Sequence, residues 1–300
     1  MSRTQIIRLL STSATIVALL HAVPAMTAHG WTLPQDSAGE TVRLSDSDRR
    51  DLLNQRMIEL EQAERLVPMN ATADLTPESF PVLPPPNRVP LDPVELHDRI
   101  HQATVMIHMG WKCDRCDNWH GGVASGFVIH PDGWIVTAAH VISDIPEDRH
   151  GSVMLGDERV FPITGIYMVD TDRDVAIVKV DGTQLPALPL EQGDARPGEP
   201  VHVLSHPQGI FYLFTQGVVS RLNTADPKQS LQITAEFATG SSGAPVVNRH
   251  GNVIGVVLST RTLYATRDED RHPQLVLRNC CRVGEIHRML EISRQSSASE

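Results

Sequence analysis

The stretch that most constrains this chain is Gly240-Ser-Ser-Gly-Ala-Pro245, a Gly-x-Ser-Gly-x-Pro turn that runs directly into the apolar strand Val246-Val247. Such a turn exposes a hydroxyl, that of Ser242, and aims neighbouring backbone N–H groups at one point. Ser242 is therefore a candidate nucleophile. The amides of Gly240 and Ser242 are candidate donors to the negative charge that develops on a carbonyl oxygen under attack. Taken alone, the stretch also reads as an ordinary turn between strands, so its meaning depends on whether a base and an orienting acid stand elsewhere.

Both are present, in the order base, acid, nucleophile. Residues 125–140 read as strand, Pro131-Asp-Gly turn and strand, with His140 where the second strand ends. Asp174 then stands at the mouth of the apolar strand Val175-Ala-Ile-Val-Lys-Val180, placed for partial burial and for accepting an imidazole N–H. Asp170 and Asp172 lie nearby, but only Asp174 abuts the strand. A serine hydroxyl is a weak nucleophile without an adjacent base, and that base needs a fixed tautomer and a counter-charge. Singly, each residue has a structural reading. Together, His140, Asp174 and Ser242 supply the three roles.

On these residues the chain resembles the trypsin/chymotrypsin-like serine peptidases. Thr137-Ala-Ala-His140-Val looks like the family's histidine motif, Asp174-Val-Ala-Ile-Val like its aspartate motif, and Gly240 to Pro245 like its serine motif. Ser125-Gly-Phe-Val-Ile, Asp132-Gly-Trp-Ile-Val-Thr and Gly251-Asn-Val-Ile-Gly-Val are most similar to bacterial peptidases of the HtrA/Deg kind. The resemblance implies an all-β fold of two perpendicular six-stranded antiparallel β-barrels with the active site between them, followed by a C-terminal helix. It also implies an endopeptidase working through an acyl-enzyme, with no cofactor and no metal in the reaction. The chain departs from the digestive members: no Ile-Val-Gly-Gly sequence precedes the first strand, Ser241 replaces an aspartate, and Ala244 replaces the commoner glycine. Activation by insertion of a freshly cut N-terminus is not expected, nor is an appended PDZ domain. The alternative is a protease-fold binding protein that is non-catalytic, or latent until a partner or N-terminal processing orders the site.

The remaining sequence suggests how the domain is carried. Residues 1–25 have a basic start, an apolar run and a small-residue cleavage pattern at Ala25 or Ala28, the signature of a secretory signal peptide, so a secreted or periplasmic protein is expected. No stable membrane span is expected, since the run is short and interrupted. Residues 26–75 form an N-terminal extension with an amphipathic helix over 44–67, capped at Ser45 or Ser47. Pro-segment, oligomerisation helix and strap on the catalytic domain are the roles open to it. Seven prolines make 76–93 a semi-rigid linker. The peptidase domain spans 94–293, and 294–300 is a tail. With a net charge of −10 the chain is a poor partner for nucleic acid.

Substrate contacts are placed on three residues. The strand Val253 to Thr260 is expected to bind an extended peptide by strand addition, with Ser259 and Thr260 near the specificity pocket. Glu236, six residues before Ser242, falls near the pocket floor if the loop has trypsin-like length, and otherwise faces solvent. The four cysteines read as disulfides or lone thiols, with zinc as the sharper alternative. Cys113-Asp-Arg-Cys116 is half a tetrahedral site that His120 or the other thiols could complete, although adjacent Cys280 and Cys281 point apart.

Overall fold

The computed structural model describes residues 44–297, apart from 117, 144, 145, 147, 148, 224 and 266–271. The expected leader over 1–25 thus lies outside the described residues. So do 26–43 and the end of the tail.

Apolar residues alternating along the strands build two closed barrels. The first contains β2 (Thr104–Lys112), β3 (Trp119–His130), β4 (Trp134–Thr137), β5 (His150–Leu155), β6 (Val160–Asp170) and β7 (Val175–Val180), in the spatial order β6-β5-β2-β3-β4-β7, closed by pairing of β6 with β7. A two-residue strand, β1 (Ala73–Asp74), adds to β6 in parallel. The second barrel closes β8 (Pro200–Ser205), β9 (Leu213–Leu222), β10 (Leu231–Ile233), β11 (Pro245–Asn248), β12 (Val253–Tyr264) and β13 (Pro273–Arg282) in the order β10-β13-β12-β11-β8-β9.

The period of two decides which side chain goes where. Val105, Ile107, Val128, Ile135, Ala176 and Val178 fill the first barrel, while their neighbours of opposite parity, Phe127, Ile129, Val136 and Ile177, join Leu204, Val247, Val256 and Leu258 in a layer shared by the two barrels. The same parity splits the adjacent cysteines: Cys280 belongs to the interior of the second barrel and Cys281 to the shared layer. No disulfide joins the four cysteines in the structure, where disulfides or lone thiols were expected. Cys280 and Cys281 are held on opposite faces of β13, and burial pushes both thiols up, Cys281 to about 12.

Helix α1 (Asp46–Gln62) begins with a capping box, in which the Ser45 hydroxyl accepts from Asp48 N–H and the Asp48 carboxylate accepts from Ser45 N–H. Its stripe of Leu53, Met57 and Leu60 is buried against Met106, Met154, Trp119 and Phe211. The helix is therefore a strap on the barrels. The proline-rich run is docked as well. Phe80 stacks on Tyr167 with ring centroids 4.7 Å apart and meets the edge of Trp134, while Asn87 and Leu91 bond to the second barrel. Helix α2 (Pro93–Ala103), capped by Asp92 with Pro93 in the first turn, leads directly into β2. After the single turn α3 (Ala139–Ile142), the last helix is α4 (Val283–Ser297), which buries Ile286, Met289 and Leu290 in the shared layer. No helix among the described residues is long and apolar enough to cross a membrane.

Candidate active site

Strand register brings the candidate base and acid together. β4 and β7 pair antiparallel with Thr137 opposite Ala176, so the chain leaving β4 runs past the chain entering β7. His140, on the turn α3, meets Asp174 there. Its Nδ1–H donates to Asp174 Oδ2 at 2.8 Å and its backbone N–H to Oδ1 at 2.9 Å, so both carboxylate oxygens hold one residue. With Nδ1 engaged as donor, Nε2 is the ring nitrogen left for proton exchange. Asp174 sits at φ +56°, a left-handed conformation that aspartate tolerates better than most side chains. Burial pushes its pKa up, but the two hydrogen bonds from His140, with the charges of His140 and Lys228, hold it below the usual carboxylate range. Asp170 is committed elsewhere, its carboxylate accepting from Arg173 at 2.7 Å.

The serine turn is built on two glycines that no other residue could replace without strain. Gly240 (φ +96°) and Gly243 (φ +86°) lie in the left-handed region, and a Cβ would come within 2.5 Å of the His206 carbonyl oxygen at the first and 2.2 Å of the Ser125 carbonyl oxygen at the second. Gly243 also packs against Thr137 Oγ1 and Ala138 N, which sets the turn beside the segment leading to His140. The Ser242 hydroxyl donates to the Leu258 carbonyl of β12 at 3.3 Å. Among the described residues neither the Gly240 nor the Ser242 amide has an acceptor. Ser241 is buried and shares a hydrogen bond with Ser205 at 2.9 Å, a neutral pair at the position where an aspartate would need a cation.

One residue that carries this turn was not singled out from the sequence. Ser125, at the centre of β3, donates its hydroxyl to the Gly240 carbonyl at 2.9 Å and accepts from His206 N–H at 3.2 Å, while its backbone N–H donates to the Ser242 carbonyl at 2.9 Å. Its own carbonyl accepts from Thr137 Oγ1 at 2.8 Å. Ser125 thus couples the serine turn to the strand that ends at the base. Its phrase carries the family resemblance, but the partners lie 81 and 115 residues away, beyond any local signal.

The three substrate-contact candidates lie on β12 and on the loop before the serine turn. Ser259 and Thr260 are exposed on β12, opposite Asn279 and Arg278 of β13. Glu236 has 79% of its side chain exposed and pairs with Arg278 at 3.1 Å. Its charge is met within the protein, which leaves it a poor anchor for a basic substrate side chain. Beyond Val257, β12 has β13 on one edge only, because β11 ends opposite Val256. The opposite edge begins at Leu258, next to Ser242. A group of possible metal ligands, Cys113, Cys116 and His120, lies in a different hairpin.

Residues 124–256 match the family model described as the trypsin-like peptidase domain. Among curated proteins the chain is 34% identical over 139 residues to the probable periplasmic serine endoprotease DegP-like of Halomonas elongata, an alignment covering 45% of this chain and 28% of that protein. It is 36% identical over 141 residues to the mitochondrial serine protease HTRA2 of Drosophila pseudoobscura pseudoobscura, covering 44% and 33%. The chain thus matches about a third or less of the length of these relatives. A solved serine endoprotease from Yersinia pestis shares the fold, with TM-score 0.52 and 21% identity over 70% of this chain and 69% of that one.

Proposed function

We propose, from the premise that this chain carries a trypsin-like peptidase domain of the HtrA kind, that it is an exported serine endopeptidase using His140, Asp174 and Ser242. The observation that carries the reading is the two-point hydrogen bonding of His140 by Asp174 beside a glycine-built serine turn. Nε2 of His140 takes the proton of Ser242 as Oγ attacks the peptide carbonyl, and returns it to the leaving amine. Asp174 fixes the tautomer and offsets the imidazolium charge. The amides of Gly240 and Ser242 receive the oxyanion.

The substrate is an extended polypeptide laid along the open edge of β12. Main-chain hydrogen bonding to that edge supplies affinity without reading sequence, and its first acceptor is the Leu258 carbonyl that now holds the Ser242 hydroxyl. Substrate binding at Leu258 and retention of the Ser242 hydroxyl there are therefore competing uses of one oxygen, so a bound substrate frees Ser242 to turn towards His140. Export rests on the basic and apolar start of the chain and on the periplasmic relatives.

The test is labelling of the full chain with a fluorophosphonate, beside Ser242→Ala. Labelling of the parent alone is the expected result. A parent that is folded yet unreactive would leave a binding protein on a peptidase fold. For export, the protein is expected in the periplasmic or culture fraction without its leader, and a full-length cytoplasmic product would overturn it.

A further inference from the structure

The β2–β3 hairpin ends in a group of side chains that the peptide-cleaving constellation does not use. Sγ of Cys113, Sγ of Cys116 and a ring nitrogen of His120 all lie within 4.8 Å of one another, and the Cys116 sulfur is 3.1 Å from His120 Nε2. The hairpin presets this arrangement. Trp111 pairs with His120 and Lys112 with Trp119, and the Cys113 N–H donates to the Asn118 carbonyl at 3.0 Å, so the loop is closed immediately beneath the two sulfurs. The His120 ring also lies 5.9 Å from that of Trp111. Two thiolates and an imidazole in the spacing Cys-x-x-Cys-x-x-x-His are the donor set of a borderline-soft cation. In a tetrahedron with Zn–S of about 2.3 Å and Zn–N of about 2.0 Å, ligand atoms stand roughly 3.5 to 3.8 Å apart. The observed group needs only small side-chain adjustments to reach that geometry, and all three side chains are at least partly exposed, with room to make them.

We propose that Cys113, Cys116 and His120 bind one Zn²⁺ as a clip at the tip of this hairpin, with a water molecule in the fourth position. The contrast with the second cysteine pair supports the assignment. Cys280 and Cys281 are fully buried and face opposite ways, so they cannot converge on one ion. The clip also has something to hold. The hairpin tip carries the docking contacts of α1: the Asn54 side chain accepts from Trp119 N–H at 2.8 Å and donates to Asn118 Oδ1 at 3.3 Å, and Lys112 pairs with Glu61 at 2.6 Å. Fixing the tip fixes the seat of the strap.

The experiment is titration of the full chain, reduced and freed of metal, with Zn²⁺ against a chromophoric chelator, with Co²⁺ as a spectroscopic probe. One equivalent of Zn²⁺ is expected, and the Co²⁺ adduct should show thiolate-to-metal absorption and the strong visible bands of a tetrahedral ion. The double variant Cys113→Ser/Cys116→Ser, which keeps Cys280 and Cys281, should lose the site. His120→Ala should weaken it by at least about tenfold, the lower end of the effect of losing even an outer partner of a metal ligand. Zn²⁺ should raise the Tm of the parent and leave that of the double variant unchanged, a readout independent of peptidase activity. The proposal is overturned if the parent binds no more Zn²⁺ than the double variant, or if His120→Ala binds as tightly as the parent. It is also overturned if protein isolated from its own compartment carries a Cys113–Cys116 disulfide, seen as the loss of two hydrogens in its mass.

Discussion

At the scale of single residues, the candidate site divides into groups that face the substrate and groups that hold them. Asp174 holds one of the first kind, His140, directly. In Asp174→Asn the amide can donate where the carboxylate only accepts, so the imidazole loses its Nδ1–H partner and turns to the wrong tautomer. A fall of about 10⁴-fold in kcat is expected with little change in KM, checked by steady-state cleavage of a peptide substrate. Ser125 is of the second kind. Ser125→Ala strips the Gly240 carbonyl and the His206 N–H of a buried partner, at a cost of about 1–3 kcal/mol. Because that loss loosens the turn that aims the Gly240 amide, kcat and the fluorophosphonate labelling rate should fall together while KM holds. Ser125→Thr, which keeps the hydroxyl, should recover part of both. A purely structural role would lower Tm and leave the labelling rate of the folded fraction untouched. His140, Asp174 and Ser242 could be put forward from the sequence because each lies in a short local phrase with strand context. Ser125, by contrast, acts through partners that only the closed barrels bring near.

At the scale of elements, the strands and the helix α1 could be read from alternation and capping, since both signals are local. The behaviour of residues 76–93 could not. Seven prolines exclude helix and ladder, so the stretch reads as a semi-rigid linker, whereas its fixation includes a side chain 165 residues away. Asn252 is the centre of that fixation. Its Oδ1 accepts from Asn87 N–H at 2.8 Å and its Nδ2 donates both to the Asn87 carbonyl at 2.8 Å and to Glu191 Oε2 at 2.9 Å. Burial pushes the Glu191 carboxyl up, yet bonds from Asn252, the Gln192 amide and Asn248, with Arg88 close by, hold it below its ordinary value. Asn252→Ala leaves these groups unsatisfied at a buried position and should cost about 1–3 kcal/mol. Hydrogen exchange should show lost protection at the Asn87 and Leu91 amides, and protease should cut first in this run. Unchanged protection there would mean that Phe80 and the Leu91 bond alone hold the strap.

At the scale of the whole described domain, the buried His108 and His206 and the half-buried His101 make stability depend on pH. Burial holds His108 down to about 4 and His206 to about 3. His101 is held to about 4 by burial, with His97 and Arg49 adding to the effect and Asp98 and Asp157 opposing it. The folded forms are depressed relative to an unfolded histidine near 6.5. Between pH 6.5 and 4, therefore, the unfolded chain takes up protons that the folded chain refuses, and stability falls as pH falls. It is fully present above about 6.5, and the loss levels off once the folded histidines protonate as well. Holding an imidazole neutral costs about 1.4 kcal/mol for every pH unit below its ordinary titration point, so each histidine can withdraw a few kcal/mol as an upper bound. Asp174 and Glu285, held low by their partners, extend the loss below the carboxylate range, whereas Glu158, raised by burial, works against it. Since 1 kcal/mol moves the Tm of a domain of this size by about 2–4 °C, a drop of at least about 5 °C is expected between pH 7 and pH 4.5. His108 offers the sharpest check, because only burial shifts it and its Nδ1 has no hydrogen-bond partner. His108→Phe keeps a flat ring over Gly110 and Gly121 and removes the titration, so the difference in Tm between the two pH values should shrink. If it stays as large as in the parent, the acid sensitivity does not come from His108.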